Sequence, residues 1–443
     1  MKTREEILEL VEEEDVEFVR LQFTDMFGTL KNAAVTANQL KNVMENRYVF
    51  DGSCVYGDLR EGEEDMYLCP DLNTFVILPW RPQQGKVARL LCDICRADGT
   101  PLLVSPREIL KKILEKCTAA GYEFRVDPEC EFFLFHTDEN GIPTAVTHEQ
   151  AGYMDISPLD LGENARRDMV LMLEEMGFEI ESSHHETAPA QHEIDFKDAP
   201  PLETADNIMT FKTAVRSIAK RFGLHATFMP KPRPGAAGSG MHLNVSLFKD
   251  GRNVFSDPAG ENGLSREAKW FMGGILAHAK GICAVSNPLV NSYKRLMSGF
   301  EAPRDIAWTA KHRNTLIRVP FFRGEQTRIE LRFPDPSANP YLTLALIMAA
   351  GLDGISRRTE PGPETADRSA GQVNERGSAV DEAADRLPYT LREAIAYMEQ
   401  DDLVKDVLGQ EFVRLYTNAK KAEWNEYMSQ VSEWELEKYL YRT

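Results

Sequence analysis

Up to about residue 100, hydrophobic and polar residues alternate with the period of a helix in some segments and with the period of a strand in others. In residues 3–14, leucine, isoleucine and valine recur at helical spacing among charged side chains, which predicts an amphipathic helix. The runs VEFVRLQFTD and LKNAAVTA alternate as strands do and flank Gly28, so we expect a β-hairpin there. A second helix is expected near residues 38–47, and NTFVILP and KVARLLCDI have the pattern of further strands.

The turn sequence ADGTP after these strands predicts the end of a small α+β domain. Beyond it, amphipathic helical patterns, beginning with SPREILKKILEKC, alternate with short strand patterns. A chain of 443 residues is too long for one ordinary core, so we expect a small domain in residues 1–100 and a large one in residues 101–443. The polar, aromatic-free segment 356–386 predicts an exposed excursion from the large domain.

The charge balance is strongly acidic, with 70 acidic and 51 basic side chains and a formal net charge of -19. Such an excess repels phosphate backbones and anionic lipid, which argues against nucleic acid or membrane surfaces as partners and favours small molecules. The first residues, MKTREEILELVEEE, lack the apolar stretch of a secretory signal, and no run of about 18 apolar residues occurs. We therefore expect a cytoplasmic protein.

Seven cysteines are scattered along the chain, which fits reduced thiols and implies no disulfide framework. Cys92 and Cys95 form a CxxC pair, which occurs in redox and zinc sites. No second pair or nearby histidine completes a tetrahedral ligand set. We therefore expect two ordinary thiols in a strand.

The segment EFRVDPECEFFLF predicts a strand with two carboxylates on one side. A period of two places Glu129 and Glu131 on one face and Cys130 and Phe132 on the other. Burying adjacent like charges is costly unless a cation neutralises them, so a metal site is one interpretation. A solvent-facing acidic strand is the alternative.

The segment SSHHETAPAQHEIDF repeats this arrangement, because Glu186 and Glu193 flank a short loop among histidines. His184, His185 and His192 are either metal ligands or hydrogen-bonded structural residues, and the second interpretation is more common for an isolated histidine.

Two further strand patterns carry polar residues on one face and apolar residues on the other. These polar faces comprise His242, Asn244 and Ser246 in GSGMHLNVSLF, and Arg328, Glu330 and Arg332 in TRIELRF. The four segments together offer five glutamates and one histidine, a set of mostly hard oxygen ligands that suits Mg²⁺ or Mn²⁺ better than zinc or copper.

Several arginines near these segments could meet the charge of a phosphate: Arg295 in NSYKRLMSGFEAP, and Arg313 and Arg318 in KHRNTLIRVP. Each of them taken singly could also be an ordinary surface charge. The chain has no GxxxxGK[ST] loop and no kinase-type HRD or DFG element. A nucleotide would therefore be held in another way.

A set of motifs resembles those of bacterial type I glutamine synthetases, in the same order and over nearly the whole chain. They are FDGS at 50–53, PECEFFLF, HHETAPAQHEIDF, GSGMH, NSYKR with FEAP, and RIELRFPDPSANPYL. The resemblance implies a small N-terminal β-grasp domain followed by a large α/β catalytic domain with an antiparallel half-barrel of strands. It also implies a glutamate–ammonia ligase, which uses ATP to convert L-glutamate and ammonium into L-glutamine through γ-glutamyl phosphate, releasing ADP and phosphate.

The resemblance also assigns roles to residues of this chain, with two or more Mg²⁺ or Mn²⁺ ions per active site. The implied metal ligands are Glu131, Glu186 and Glu193 for one ion, and Glu129, His242 and Glu330 for the second. Glutamate is expected to contact Glu131, Ala237, Gly238, His242, Arg295, Glu301 and Arg332. ATP is expected to contact Glu181, Asn244, Ser246, Arg313 and Arg318. In catalysis, Asp51 takes the proton of ammonium, Glu301 closes over the acyl phosphate, and Arg313 contacts the phosphate.

By the same resemblance, the protein assembles as a homododecamer of two stacked hexamers with active sites shared between neighbours, so Asp51 serves the adjacent subunit. The tail SEWELEKYLYRT is expected to reach the opposite ring. No tyrosine occurs between Tyr341 and Tyr389, which favours the shorter branch of the family that is not adenylylated. No particular regulatory protein partner is indicated.

Two positions depart from the family pattern: Ala237 precedes Gly238 where asparagine is usual, and Cys54 follows FDGS where serine is usual. A γ-glutamyl-amine ligase that uses a polyamine is one alternative function, but the retained Asp51 favours ammonium. A catalytically inactive homologue with a structural role is another, but all six metal-ligand positions are retained.

Overall fold

A five-stranded sheet organises the N-terminal part of the computed structural model, which describes residues 2–46, 48–59, 64–297, 299, 302–311, 313–365 and 385–442. Its strands are β1 (Val16–Thr24), β2 (Leu30–Thr36), β3 (Tyr48–Asp51), β4 (Asp65–Ile77) and β5 (Lys86–Cys95), in the order β2-β1-β5-β4-β3. β1 and β5 are parallel, and the other neighbours are antiparallel. Helices α1 (Arg4–Glu13) and α2 (Ala37–Asn46) contact this sheet.

Local sequence explains most of these N-terminal elements. Helix α1 begins at a capping box, in which Thr3 and Glu6 satisfy each other's backbone N–H groups. Gly28 has a φ of +87° in the turn between β1 and β2, and a Cβ there would lie 3.1 Å from the Asn339 Cα, so glycine is required. The predicted hairpin is confirmed. Strand β3 was not expected, because four residues are too few to show a period, yet it carries Asp51 at its end.

A second sheet organises the described part of the chain beyond residue 122. Its strands are β6 (Glu123–His136), β7 (Ile180–His185), β8 (Gln191–Phe196), β9 (Leu224–Thr227), β10 (Met241–Lys249), β11 (Arg252–Asn253), β12 (Asp305–Thr309), β13 (Thr315–Arg318) and β14 (Ile329–Leu331). The main order is β12-β13-β14-β10-β6-β8-β7, while β11 pairs with β10 and β9 pairs with β6. Apart from β12 and β13, the neighbouring strands run antiparallel.

Helices pack against this sheet and against one another. They are α3 (Pro106–Ala119), α4 (Glu163–Glu175), α5 (Pro201–Arg221), α6 (Arg266–Ser286), α7 (Val290–Met297), α8 (Pro340–Arg357), α9 (Leu391–Gln400), α10 (Asp402–Leu408), α11 (Gln410–Met428) and α12 (Glu433–Tyr439). The apolar face of β6 joins their core, since Cys130 and Phe132 are fully buried and Phe132 contacts Phe211 of α5. The opposite face of β6 carries Glu129 and Glu131, as the alternation predicts.

Ion pairs of a buried arginine join the N-terminal sheet to the helices of the larger sheet. Arg107 on α3 contacts Asp71 of β4 at 2.8 Å, Asp93 of β5 at 2.7 Å and Asp206 of α5 at 2.9 Å. The guanidinium is therefore surrounded by carboxylates from three elements. This arrangement fixes the two sheets relative to each other.

The segment 356–386 starts as helix and not as loop, because α8 continues to Arg357. The next described residues are partly exposed, as expected, but they are attached to β12: Trp308 Nε1 donates to the Gly362 carbonyl at 3.0 Å, and the Thr365 N–H donates to the Trp308 carbonyl at 3.0 Å. Residues 366–384 of the predicted excursion lie outside the described residues.

Two other sequence expectations concern cysteines and membranes. Cys92 and Cys95 both lie in β5 as buried free thiols, which agrees with the structural interpretation of the CxxC pair. Within the described ranges, none of the helices combines the length and the apolar character needed to cross a bilayer.

Candidate active site

Strand pairing brings the predicted metal ligands onto one face of the larger sheet. β6 lies between β10 and β8, and its Glu129 and Glu131 are directly opposite His242 and Glu193, respectively. On the other side of β10, β14 contributes Glu330. Side chains that are directly opposite in an antiparallel pair point to the same face, so residues more than 200 positions apart in the sequence meet here.

The Glu129 carboxylate is held by hydrogen bonds from both sides. Its Oε2 lies 3.0 Å from His242 Nδ1, and its Oε1 accepts a hydrogen bond from Asn244 Nδ2 at 2.8 Å. Burial raises the pKa of Glu129, but the hydrogen bond and charge of His242, helped by Asn244 and Arg332, lower it to about 2. This carboxylate is therefore ionised and well compensated by its neighbours.

Glu330 completes a first ligand group. Its Oε2 accepts a hydrogen bond from Arg318 at 2.6 Å, its Oε1 contacts Arg332, and His242 Nδ1 lies 3.8 Å from Oε1. One ligand atom from each of Glu129, His242 and Glu330 lies within 4.8 Å of the others. A single cation can therefore reach all three side chains.

Glu131 belongs to a second group in which carboxylates face one another. Its Oε2 accepts hydrogen bonds from Gln191 Nε2 at 2.8 Å and from the Gly240 N–H at 2.9 Å. Burial and the charge of Glu186 raise the pKa of Glu131 to about 8. Without an added cation, this side chain therefore resists ionisation.

Glu193 shows the same effect on the neighbouring strand. Burial and the charges of Asp195 and Glu131 raise the pKa of Glu193 well above its usual range. His184, Glu193 and Asp195 form a further group whose ligand atoms lie within 4.8 Å of one another. The structure therefore adds His184 and Asp195 to the surroundings of the predicted ligand.

The donor set fits divalent metal ions. Carboxylate oxygens with one imidazole suit Mg²⁺ or Mn²⁺. The raised pKa values of Glu131 and Glu193 indicate that too little positive charge surrounds these two carboxylates. A bound cation would remove that repulsion, which explains why such residues can be buried together.

A cavity of about 150 Å³ opens beside the carboxylates. It is lined by Glu131, Glu186, Thr187, Gln191, Ala237, Gly238, His242, Arg295, Ala302 and Arg332. Drug-sized ligands usually occupy 300–1,000 Å³, so this cavity suits a molecule as small as an amino acid. Carboxylates and arginines line it together, so it can take a metal ion and an anionic ligand at once.

Two features fix the arginine side of the cavity. Arg295 donates hydrogen bonds to the carbonyl oxygens of Arg332 at 3.0 Å and Phe333 at 2.9 Å, so its guanidinium is held in place. A Cβ at Gly238 would lie 2.2 Å from the Pro230 carbonyl oxygen, so only glycine fits there.

Ala237 presents a methyl group at the cavity. Together with Ala236 it packs against the small apolar cluster that contains Phe133, Phe135 and Ala190. Its side chain can therefore contribute packing but no hydrogen bond to a ligand.

The remaining predicted site residues that the structure describes do not line this cavity. Asn244 and Ser246 continue the polar face of β10, and Arg318 lies on β13. Glu181 on β7 and Arg313 in the β12–β13 loop are exposed. Asp51 is exposed on the other sheet, and Glu301 lies outside the described residues.

The sequence reasoning missed Gln191 and Asp195. Gln191 bonds to Glu131 and, through Nε2 at 3.2 Å, to the Gly238 carbonyl. The signal was present, because a period of two in QHEIDF places Gln191, Glu193 and Asp195 on one face.

Comparison with known proteins identifies the family. The model of the glutamine synthetase β-grasp domain matches residues 15–97, and that of the glutamine synthetase catalytic domain matches residues 103–439. The chain is 55% identical over 438 residues to a glutamine synthetase of Clostridium saccharobutylicum, with 99% of this chain and 98% of that protein covered. It is 51% identical over 440 residues to a glutamine synthetase of Staphylococcus aureus (strain Mu50 / ATCC 700699), with the same coverage.

Solved structures agree with this result. The fold is similar to that of GmaS without ligand, with a TM-score of 0.87 and 33% identity over 98% of this chain and 99% of the other. A GmaS complex with ADP gives a TM-score of 0.87 at 32% identity, with the same coverage. The expected β-grasp domain and α/β catalytic domain are thus confirmed, and the chain belongs to the glutamine synthetase family.

Proposed function

We propose that the cavity beside Glu131 is where this glutamate–ammonia ligase activates L-glutamate and joins it to ammonia. The observation that carries the proposal is the lining of the cavity, which places Glu131, Glu186 and His242 next to the buried guanidinium groups of Arg295 and Arg332. The carboxylates of the substrate and the phosphates of the phosphoryl donor are negatively charged. They need metal-binding carboxylate side chains and guanidinium groups at the same place.

The reaction needs ATP because a carboxylate is a poor electrophile. An oxygen of the glutamate side-chain carboxylate attacks the γ-phosphorus of ATP, so that ADP leaves and γ-glutamyl phosphate forms. Ammonia then attacks the acyl carbon, the C–O bond breaks, and phosphate leaves as glutamine forms. Two or more Mg²⁺ or Mn²⁺ ions would neutralise phosphate and carboxylate charge. One ion would be held by Glu131, Glu186 and Glu193, and another by Glu129, His242 and Glu330.

Glutamate binding is assigned to the arginine side of the cavity. Arg295 is held by the backbone carbonyls of Arg332 and Phe333 and lines the cavity together with Gly238. We propose that Arg295 and Gly238 receive the α-carboxylate and the backbone of glutamate. Arg332 lines the same cavity and contacts Glu330, which suits a position beside the reacting carboxylate.

Nucleotide binding is assigned to the polar face that leads away from the cavity. Asn244 and Ser246 follow His242 on β10 at every second residue, and we propose that they and Glu181 meet the nucleoside part of ATP. Arg313 and Arg318 are proposed as phosphate contacts, where their charge would be complementary.

The ammonium site is proposed to lie between subunits of a homododecamer made of two stacked hexamers. Asp51 is exposed on β3, at the edge of the N-terminal sheet, and is absent from the described lining of the cavity. We propose that it attracts ammonium and takes its proton in the active site of a neighbouring subunit, with Glu301 closing over the intermediate.

Mixed oligomers test this shared site. Asp51→Ala and Glu186→Ala subunits, unfolded together and reassembled, should recover part of the activity that each lacks alone, since some interfaces combine two intact halves. Oligomers shown to be mixed but to remain inactive would exclude the arrangement.

We further propose that the protein works in the cytoplasm without nucleic-acid partners, in keeping with its net charge of -19.

The ligase function is tested by measuring glutamine and phosphate released from glutamate, ATP and Mg²⁺. Phosphate release should depend on ammonium and should remain at background when putrescine replaces it. The Cys92→Ser variant should match the wild type, because this buried thiol lies in the N-terminal sheet. Phosphate release that depends on putrescine and not on ammonium would instead identify a γ-glutamyl-amine ligase.

A further inference from the structure

A group of buried titratable side chains lies behind the active site and has no part in the proposed reaction. It contains Glu149, Asp160, His185 and His192, each at most 6% exposed. Glu149 comes from the irregular segment between β6 and α4, whereas His185 ends β7 and His192 is the second residue of β8. These strand ends flank the turn that carries Glu186, so the group is placed to act on that ligand.

The Glu149 carboxylate accepts hydrogen bonds from three separate parts of the chain. Oε1 accepts from His185 Nε2 at 2.7 Å and from the Ala190 N–H. Oε2 accepts from the Leu161 N–H at 2.9 Å. Burial raises the pKa of Glu149, but these donors outweigh burial and lower it, so the side chain is ionised near neutral pH.

His185 transmits this contact to the backbone of Glu186. Its Nδ1 lies 2.7 Å from the Glu186 carbonyl oxygen, which can only accept, so Nδ1 carries a proton. With Nε2 bound to Glu149, both sides of the ring are held. Glu149 thereby fixes the start of the turn.

Glu149 also accepts a hydrogen bond from the N–H of Ala190, at the end of the same turn. The φ of Ala190 is +68°, a left-handed conformation that is strained for a residue with a Cβ. The turn closes through a hydrogen bond of 2.8 Å from the Glu186 N–H to the Gln191 carbonyl, and the Gln191 side chain bonds to Glu131. The Ala190 N–H bond to Glu149 supports the strained residue beside these contacts.

The hydrogen bonds argue against a separate metal site in this group. Arg166 Nη1 lies 2.8 Å from both Asp160 Oδ2 and His192 Nδ1, so a cation is already present. N–H donors also occupy both oxygens of Glu149. The group therefore behaves as a rigid support and not as a ligand cage.

We propose that Glu149 is a positioning residue, which holds the turn 186–190 so that Glu186 and, through Gln191, Glu131 keep the geometry needed to bind one divalent ion. The inference rests on the proposed function, because it assumes that these glutamates are metal ligands. Partners that orient metal ligands typically change metal affinity by about 10–100-fold when they are removed.

Three variants of the assembled protein separate positioning from general stability. Glu149→Ala removes both contacts with the turn. Glu149→Gln keeps an oxygen that can still accept from His185 and Ala190 but loses the charge and the hydrogen bond from the Leu161 N–H. Glu139→Ala is the matched control, because Glu139 is an exposed residue of the same irregular segment. Mn²⁺ binding is measured without substrates, from the electron paramagnetic resonance signal of free Mn²⁺.

Glu149→Ala should weaken one class of Mn²⁺ site by about tenfold or more and leave the other class unchanged. Glu149→Gln should lose less metal affinity than Glu149→Ala, because it keeps the hydrogen bonds from His185 and Ala190, and Glu139→Ala should match the wild type. In the activity assay, the Mg²⁺ concentration at half saturation should rise by a similar factor while kcat at saturating Mg²⁺ changes by less than about threefold. A purely structural role would lower the melting temperature without shifting metal affinity.

Wild-type Mn²⁺ affinity and Mg²⁺ half saturation in Glu149→Ala would overturn the proposal. If Glu149→Ala does not fold, Glu149→Asp decides, because the shorter side chain cannot reach both ends of the turn and unchanged metal affinity would again be contrary. Wild-type protein without tight Mn²⁺ sites would also overturn it. Wild-type protein that binds Mn²⁺ but forms no glutamine would refute only the proposed function, since the effect of Glu149 on Mn²⁺ binding remains measurable.

Discussion

The active site and the junction between the two sheets each bring several carboxylates together, but the two regions balance the charge differently. At the junction, Arg107 lies between Asp71, Asp93 and Asp206 at 2.7–2.9 Å. Burial lowers the pKa of Arg107, but Asp206 and the other carboxylates raise it above its usual range. In the active site, burial and Glu186 raise the pKa of Glu131 to about 8, although arginines are nearby.

The difference indicates which cluster is structural and which is functional. A buried carboxylate group that contains its own cation contributes to the fold without any ligand. A buried group with excess negative charge disfavours the metal-free protein and gains stability when a cation binds. The raised pKa of Glu131 is therefore a property that the metal-bound state would remove.

The largest expected effect is on stability at the junction. Arg107→Ala removes the cation shared by the buried Asp206 and the half-buried Asp71 and Asp93. It should lower the free energy of unfolding, measured by urea denaturation at fixed protein concentration, by about 3–5 kcal/mol, mainly because Asp206 loses its ion pair. The exposed pair of Arg125 and Asp198, 3.2 Å apart, provides the control, because Arg125→Ala should cost less than about 1 kcal/mol. Equal losses for the two variants would contradict the structural role of the junction.

In the active site, by contrast, replacing Glu131 should make the metal-free protein more stable. Glu131→Gln keeps an oxygen for Gln191 and Gly240 and removes a carboxyl group that must take up a proton when the metal-free protein folds near neutral pH. Metal-free protein should therefore melt at a higher temperature while activity falls by about 100-fold or more. Glu129→Gln is the matched comparison. Both oxygens of Glu129 face His242 or Asn244 donors, so this variant should lose activity and melt at a lower temperature. Equal melting shifts would remove the distinction between the two ligand groups.

The glutamate side of the cavity should respond more weakly. Ala237→Asn adds a side chain able to hydrogen-bond glutamate, and one such bond is worth about 0.5–1.5 kcal/mol, or up to roughly tenfold in affinity. The KM for glutamate should fall while kcat stays within a few-fold, because the bond would act on the bound substrate as well as on the transition state. An unchanged KM would show that another group already fills this role.

The smallest effect concerns a histidine that is paired with two aspartates and does not line the cavity. His278 Nδ1 lies 2.9 Å from Asp401 and its Nε2 3.5 Å from Asp353, and the hydrogen bond to Asp401 raises the pKa of His278 despite burial. A histidine whose pKa is higher in the folded than in the unfolded protein stabilises the fold. This contribution is complete at pH values below the pKa of the unfolded state, about 6.5, and is lost as the pH rises through the pKa of the folded state.

His278→Gln should therefore cost about 0.5–1 kcal/mol of unfolding free energy at pH 6, and the difference from wild type should shrink at pH 9. Urea denaturation at both pH values measures this change. A difference that grows with pH would contradict the ion-pair interpretation, and glutamine formation serves as a control that should not change.

Local sequence was a good guide wherever a strand is long and has one apolar face. Alternation in β6 predicted that Glu131 and Phe132 point to opposite sides, and burial of Phe132 in the core confirms it. Strand β3 was missed because four residues show no reliable period. Glu149 was missed for a related reason, since an irregular segment has no periodicity that could assign its side chain to a face.

The sequence by itself determined the hairpin at Gly28, the faces of the strands and a set of residues suited to Mg²⁺ or Mn²⁺. These follow from interactions within a few residues, namely turn geometry and the alternation of side chains along a strand. Only the tertiary structure decided that β6 lies between β8 and β10, that Arg107 balances three aspartates, and that Glu149 supports both ends of the turn 186–190. Such neighbours come from distant parts of the chain, and the packing of complete apolar faces selects them, which no local pattern records.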